Sequence, residues 1–162
     1  CDPSQDLQNK ERLNDVYWDL MKNINEDELS TPVPGVVDYL KKVRELGGFI
    51  SIVTNRDEST IEATEKTLKK YDIPYDQLLL AGSSESLKSK DGRFEAVESG
   101  ERPSKLPKHE VLMFVGDTLT SDFPSQVVRE ILSEKEETMQ QLGTKYILLP
   151  NPINDWLRKR IK

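Results

Sequence analysis

The sequence contains little of what several classes of protein require. It has one cysteine and one histidine in 162 residues, which excludes an internal disulfide and any metal site built from several cysteines. No segment approaches the roughly 20 consecutive apolar residues of a membrane-spanning helix. Acidic residues outnumber basic ones by 29 to 23, so the basic surface that non-specific nucleic-acid binding needs is not expected. We therefore predict no nucleic-acid partner.

The length and composition are those of one compact domain. Hydrophobic residues make up 35% of the chain and charged residues 32%, and a chain of this size can bury a substantial core. No internal repeat and no linker divides the sequence. We interpret residues 1–162 as a single domain, with a polar, cap-like helical segment over 1–32 and the core over 33–157.

Short apolar runs alternate with amphipathic segments along the chain. The apolar runs predict strands over 49–53, 78–80, 111–115 and 146–149. Helical spacing predicts helices over 7–24, 36–46 and 58–71, and a further helix with Phe123, Val127, Val128, Ile131 and Leu132 on one face. Strands that alternate with helices of this length predict an α/β fold: a parallel sheet with helices on both faces.

Local signals set the expected ends of these elements. Gly47 is placed to stop the helix over 36–46. Ser59 and Glu62 have capping-box spacing, and Ile61 and Leu68 mark the inner face of the helix that follows. The Ser-, Lys- and Glu-rich residues 82–109 are interpreted as a long connection with a short helix near 94–98.

Polar side chains follow two of the predicted strands. Thr54, Asn55 and Arg56 come after the strand over 49–53, and Asp117 and Asp122 come after the strand over 111–115. Ligands bind beyond the carboxyl ends of strands in open α/β sheets. Two carboxylates in a short loop suit Mg²⁺, and the Thr54 hydroxyl with nearby amides suits a phosphoryl group. The alternatives are helix capping by the two aspartates and an ordinary strand-end hydroxyl.

Three segments in this order, over 53–56, 114–123 and 146–156, resemble the haloacid-dehalogenase (HAD) superfamily. The similarity covers roughly residues 33–157 and is closest to the secreted class C acid phosphatases, many of which are bacterial lipoproteins. It implies a HAD-like, Rossmann-type parallel sheet and a Mg²⁺-dependent phosphomonoesterase that acts on a small phosphomonoester. It also implies an extracytoplasmic location.

The resemblance assigns roles to individual residues. Thr54 matches the threonine of the second family motif, with Asn55 and Arg56 beside it as catalytic and substrate-binding candidates. Lys90 is the best match to the lysine of the third motif, with Lys88 as runner-up; the alternative is that both are solvated residues of a charged loop. Asp117 and Asp122 match the metal-binding acids of the fourth motif, although related phosphatases often space them one residue closer.

The first family motif, Asp-x-Asp-x-Thr, does not occur in the sequence. It carries the nucleophile and the general acid, and its expected position lies just before Cys1. The central first strand of the family's sheet is missing with it, which would leave unpaired backbone groups that cost about 1 to 3 kcal/mol each. Either the neighbouring strands pair directly or a strand comes from outside the sequence. We favour the second, a fragment of an enzyme.

The missing motif also affects two further interpretations, a lipid anchor at Cys1 and a non-catalytic function. A processed lipoprotein begins with cysteine, so Cys1 is a possible lipid anchor, but such a protein would keep its first strand and we do not favour an anchor. The alternative function is a non-catalytic HAD-fold binding or scaffold protein.

His109 is predicted to be a polar loop residue, and Trp18 and Trp156 are predicted to pack on helix faces. Substrate identity and oligomeric state stay open.

Overall fold

The computed structural model describes residues 31–82, 89–100, 106 and 108–150. The predicted helix over 7–24 with Trp18, the runner-up Lys88 and the segment containing Trp156 lie outside these residues. The chain divides into two compact units. One comprises Cys1–Gly48 and Thr60–Pro74, and the other comprises Phe49–Ser59 and Tyr75–Lys162.

Two helices form the described part of the first unit. Helix α1 spans Val36–Glu45 and helix α2 spans Ile61–Lys70. The stop at Gly47 is confirmed, because this residue takes a left-handed conformation with φ 82° that glycine adopts at little cost. Lys41 forms an ion pair with Asp72, and both side chains are exposed.

The start of α2 differs from the prediction. A 3-10 turn over Glu58–Thr60 precedes the helix, and the N-cap Thr60 makes no side-chain capping hydrogen bond. The carboxylate of Asp57 accepts the amide hydrogen of Ser59 at 2.9 Å, so the capping box from Ser59 to Glu62 is wrong. On the inner face Leu68 is buried as predicted, whereas Ile61 is exposed.

The second unit contains four described strands in two parallel pairs. Strand β1 (Ser51–Asp57) pairs with β2 (Gln77–Ala81), and β3 (Phe114–Gly116) pairs with β4 (Tyr146–Leu148). The predicted parallel α/β arrangement is confirmed. Among the residues that the structure describes, β1 and β3 are not hydrogen-bonded neighbours, so direct pairing of these two strands, the alternative that the sequence did not favour, is not observed.

Two strands have bounds that differ from the prediction by two residues or more. Strand β1 begins two residues later than predicted and continues through Asp57. Strand β3 is only three residues long, and Leu112, in the predicted strand, is 77% exposed. Its ladder with β4 runs only from Phe114 opposite Tyr146 to Gly116 opposite Leu148. Backbone pairing rather than apolar composition therefore sets the length of β3.

The predicted last long helix is divided into three. Helix α4 spans Leu119–Asp122, α5 spans Ser125–Leu132 and α6 spans Glu136–Met139. Phe123 is extended and Pro124, which has no N–H, follows it, so a continuous helix cannot form there. Most of the predicted apolar face is confirmed as part of a core cluster formed by Leu119, Phe123, Val128, Ile131 and Tyr146. Phe114, Val127 and Leu148 pack against this cluster. Leu132 is exposed instead.

Within the described part of the remaining connection lies helix α3, over Lys90–Ser99. It begins four residues earlier than the predicted short helix near 94–98. His109 lies outside helix and strand as predicted, and its ring is 5.6 Å from that of Phe49. No helix in the described ranges is both long and apolar enough to cross a bilayer.

Glu130 joins α5 to the turn that follows it and to α6. Its carboxylate accepts hydrogen bonds from Thr138 Oγ1 at 2.6 Å, Lys135 Nζ at 3.0 Å and Gln126 Nε2 at 3.2 Å. The bonds from Thr138, Lys135 and Gln126 lower the pKa of Glu130 to about 2. These bonds favour the charged carboxylate, so Glu130 stabilises the folded state only while it is ionised.

We expect Glu130→Gln to destabilise the protein at pH 7 and to have a smaller effect at pH 2.5. The unfolded carboxyl binds its proton near pH 4.5 and the folded one near pH 2. The stabilisation is therefore complete above pH 4.5 and is lost as the pH falls towards 2. Urea midpoints measured at both pH values check this. The exposed Glu95→Gln is the control, and a difference from wild type that stays constant with pH would contradict the prediction.

Candidate active site

Helix α3 places Lys90 in its first turn. The Ser89 hydroxyl oxygen caps the helix by accepting the amide hydrogen of Gly92 at 3.2 Å, and the helix ends at Gly100 with φ 72°. Lys90 forms an ion pair with Asp122, and these two side chains are only 15% and 13% exposed. The alternative of a solvated lysine in a charged loop is therefore wrong for Lys90.

Asp122 is held by four donors. Its Oδ2 accepts the amide hydrogens of Asp117 at 2.9 Å and Thr118 at 2.8 Å, and its Oδ1 accepts from Lys90 Nζ and from Ser121 Oγ. Burial by itself would raise the pKa of Asp122. The hydrogen bond and charge of Lys90, with the amides of Thr118 and Asp117, outweigh burial and hold this pKa below its ordinary value. Asp122 is therefore an ionised carboxylate that closes the loop after β3.

Gly116 makes this closed loop possible. A Cβ at position 116 would lie 2.8 Å from Asp122 Oδ2 and 2.9 Å from its Cγ, and still closer to its Cβ. Atoms this close cannot be accommodated without moving the backbone. The last residue of β3 is thus a glycine because the Asp122 side chain packs directly against it.

Asp117 follows β3 directly and is partly buried. Its Oδ1 accepts a hydrogen bond from Thr118 Oγ1 at 3.1 Å, and its own amide is bound by Asp122. The backbone at Asp117 is therefore fixed by the carboxylate five residues later. Of the two predicted metal-binding acids, Asp122 anchors the loop and Asp117 stands at its start.

Thr54, Asn55 and Arg56 lie in an irregular stretch of β1. Val53 is opposite Leu79 and Asp57 is opposite Ala81. Position 57 is four residues after 53 in β1, whereas position 81 is only two residues after 79 in β2, so β1 bulges between its paired residues. Bulges of this kind redirect side chains and are common beside active sites. The amide of Arg56 donates to Thr54 Oγ1 at 3.3 Å, so the predicted phosphate-binding hydroxyl contacts the backbone two residues further along its own strand.

Arg93 connects this bulge to α3. It is fully buried, with 0% of its surface exposed, and its Nη2 donates to Asn55 Oδ1 at 2.5 Å. Burial lowers the pKa of the guanidinium from its ordinary value. The sequence reasoning missed Arg93. Its position three residues after Lys90 is the available signal, because residues at i and i+3 share a helix face, but that signal requires knowing that a helix begins at Lys90.

The site residues suit a hard cation only in part. No group of three or more His, Cys, Asp or Glu side chains with metal-binding geometry occurs among the described residues. The loop after β3 offers carboxylate oxygens, and Mg²⁺ is commonly held by one or two carboxylates together with water and phosphate oxygens. Asp117 fits that role. Asp122, already bound by an ammonium group and three further donors, fits the role of orienting the loop.

Comparisons with known proteins identify relatives of this chain. Residues 4–156 match the sequence profile of a family described as HAD superfamily, subfamily IIIB (acid phosphatase). The class C acid phosphatase from Bacillus anthracis is similar in structure, with a TM-score of 0.59 and 29% sequence identity over 76% of this chain. The chain spans 50% of the length of that structure. No curated protein gave a significant match.

The family profile covers nearly all of the sequence, and the solved relative is a class C enzyme with the same parallel α/β fold. The resemblance inferred from the three sequence segments is thus confirmed. This chain belongs to subfamily IIIB of the HAD superfamily, the acid phosphatases.

Proposed function

We propose that the chain forms the phosphate- and metal-binding part of a Mg²⁺-dependent phosphomonoesterase that acts on small phosphomonoesters. The observation that carries this proposal is the partly buried Lys90–Asp122 ion pair at the loop after β3. A lysine placed there can balance the negative charge of a phosphoryl group. The family to which the chain belongs supports the same class of reaction.

The bulge of β1 supplies the proposed phosphate contacts. Thr54 Oγ1 accepts from the amide of Arg56, which leaves its hydroxyl hydrogen to donate to a phosphoryl oxygen. The amides around Asn55 add further donors, and the Arg56 guanidinium can bind the substrate. Donors fixed before the reaction begins stabilise the charge that develops on the transferring phosphoryl group.

Asp117 is the proposed ligand of Mg²⁺. When bound, the cation would neutralise charge on the phosphoryl oxygens. Asp122 does not need to contact the cation for this role, because it holds the Asp117 amide and so fixes where that side chain begins. Lys90 in turn keeps Asp122 ionised and in place.

The proposed reaction proceeds through an aspartyl-phosphate. A carboxylate attacks phosphorus, the ester P–O bond breaks with protonation of the leaving oxygen, and water hydrolyses the acyl phosphate. No Asp-x-Asp-x-Thr pattern occurs in the 162 residues. We therefore place the nucleophile and the general acid in polypeptide other than this chain, and by family resemblance we place the intact protein outside the cytoplasm.

The experiment is phosphate release from p-nitrophenyl phosphate by the full-length gene product, with and without Mg²⁺. We expect Thr54→Val to lower kcat/KM about 100-fold, the usual effect of removing one fixed donor from a transition-state site. Thr144→Val, which removes an exposed hydroxyl of the same unit, is the matched control and should leave kcat/KM unchanged. Mg²⁺-dependent phosphate binding without turnover would instead identify a non-catalytic binding protein.

A further inference from the structure

We propose that Arg93 is a positioning residue that sets the orientation of the Thr54–Arg56 bulge relative to Lys90. The catalytic part of this inference rests on the proposed function, whereas its structural part does not. Arg93 has no exposed surface, so it does not touch substrate, and its bond to Asn55 links it to the bulge.

The burial of Arg93 indicates a specific role. A buried guanidinium loses its hydration, and this cost is offset only by well-placed polar partners. Nη2 of Arg93 donates to Asn55 Oδ1 at 2.5 Å, a charge-assisted hydrogen bond of the stronger kind. An apolar side chain would fill the same interior without that cost but could not donate to Asn55.

Helix α3 reaches both loops of the site from one face. Lys90 in its first turn pairs with Asp122, and Arg93, one turn further along, bonds Asn55. Between them Asp91 Oδ1 accepts the amide hydrogen of Ser125 at 2.8 Å. One rigid helix therefore fixes the β1 bulge and the loop after β3 together.

The bulge is the part that needs such a restraint. Between Val53 and Asp57 the regular register with β2 is interrupted, so the ladder does not determine how this stretch is oriented. The side chain of Asn55 ties it to α3, and Thr54 lies next to Asn55 with its Oγ1 bound by the Arg56 amide. If the Asn55 contact is lost, the direction of the Thr54 hydroxyl changes with the backbone.

The test compares Asn55→Asp, which keeps an oxygen acceptor for Arg93, with Asn55→Leu, which has similar volume and no acceptor. In the full-length protein we expect Asn55→Leu to lower kcat about 10-fold or more, and to lower it further than Asn55→Asp does. The Mg²⁺ concentration for half-maximal activity should stay within about twofold of wild type in both. A general loss of folding would change both kcat and the Mg²⁺ concentration for half-maximal activity.

A second measurement does not depend on activity. Amide hydrogen exchange over residues 51–57 should become faster in Asn55→Leu and in Arg93→Lys, which cannot reproduce the planar donor geometry. The exposed Arg129→Lys is the control. If wild-type protein releases no phosphate, the proposed function fails, but the exchange data still decide whether Arg93 orients the bulge. Unchanged exchange over 51–57 in both variants overturns the inference, whatever the activity.

Discussion

Replacing Lys90 by methionine is expected to lower the free energy of unfolding by about 3 kcal/mol and kcat/KM by at least 100-fold. Lys90 and Asp122 are both largely shielded from solvent. Removing one partner leaves the other charge poorly compensated, which typically costs about 3 to 5 kcal/mol in a buried pair. Chemical denaturation and steady-state kinetics on the same preparation measure the two effects.

Lys41 is the matched control for this substitution. It also forms an ion pair with an aspartate, Asp72, but both side chains are exposed, and exposed pairs contribute little to stability. Lys41→Met should therefore leave the denaturation midpoint and kcat/KM unchanged. If Lys90→Met and Lys41→Met behave alike, the shielding of the Lys90–Asp122 pair from solvent does not strengthen its contribution to stability or activity.

The double variant Lys90→Met, Asp122→Asn separates stability from catalysis. Removing both charges removes the penalty of an unpaired carboxylate, so stability should recover in part relative to Lys90→Met. Activity should not recover, because the positive charge proposed to balance the phosphoryl group is still missing. Recovery of kcat/KM together with stability would mean that Lys90 acts only as a structural partner of Asp122.

The sequence predicts best where one local pattern determines the structure. Helix α1 ends where Gly47 stops it, and β2 lies where its leucines predict a buried strand. Capping and burial of this kind depend on a few neighbouring residues. The family resemblance is of the same type, since it depends on short segments at the ends of strands.

The sequence predicts poorly where a distant partner decides the structure. The sequence around Lys90 predicts a charged loop because helix α3 lacks the apolar periodicity that would indicate a helix. The buried face of α3 includes the charged Arg93 as well as Val97. The length of β3 depends on its pairing with β4. The bulge in β1 depends on how β1 aligns with β2 and has no distinctive local composition.

For Asp122, the capping interpretation describes its contacts and the metal-site interpretation describes the place where those contacts act. The sequence offered helix capping or metal binding as alternatives. In the structure its carboxylate binds the Asp117 and Thr118 amides at the start of α4, as a capping group does. By doing so it fixes the backbone of the proposed ligand Asp117, so a structural contact serves the site.

Replacing Gly116 by alanine is the second large effect that we expect: a loss of about 3 kcal/mol in the free energy of unfolding and loss of measurable phosphatase activity. The added Cβ would meet the Asp122 side chain at its Cβ, Cγ and Oδ2. Changing the rotamer of Asp122 cannot relieve a clash at its Cβ, so the backbone of β3 or α4 must move. Overpacking of a tight site commonly costs about 1 to 3 kcal/mol, and here the movement also disrupts the Asp122 contacts.

Gly143→Ala separates this clash from the general effect of removing a glycine. Nothing lies within 4 Å of a Cβ at Gly143, but its φ is +81°, so alanine there should cost about 1 to 2 kcal/mol from backbone strain alone and leave kcat unchanged. Adding Asp122→Ala to Gly116→Ala should not restore stability, because alanine keeps the clashing Cβ. Rescue by Asp122→Ala would place the decisive clash at the Asp122 carboxylate and not at its Cβ. If Gly116→Ala is as stable as Gly143→Ala, the close packing of Gly116 against Asp122 does not determine the geometry of this loop.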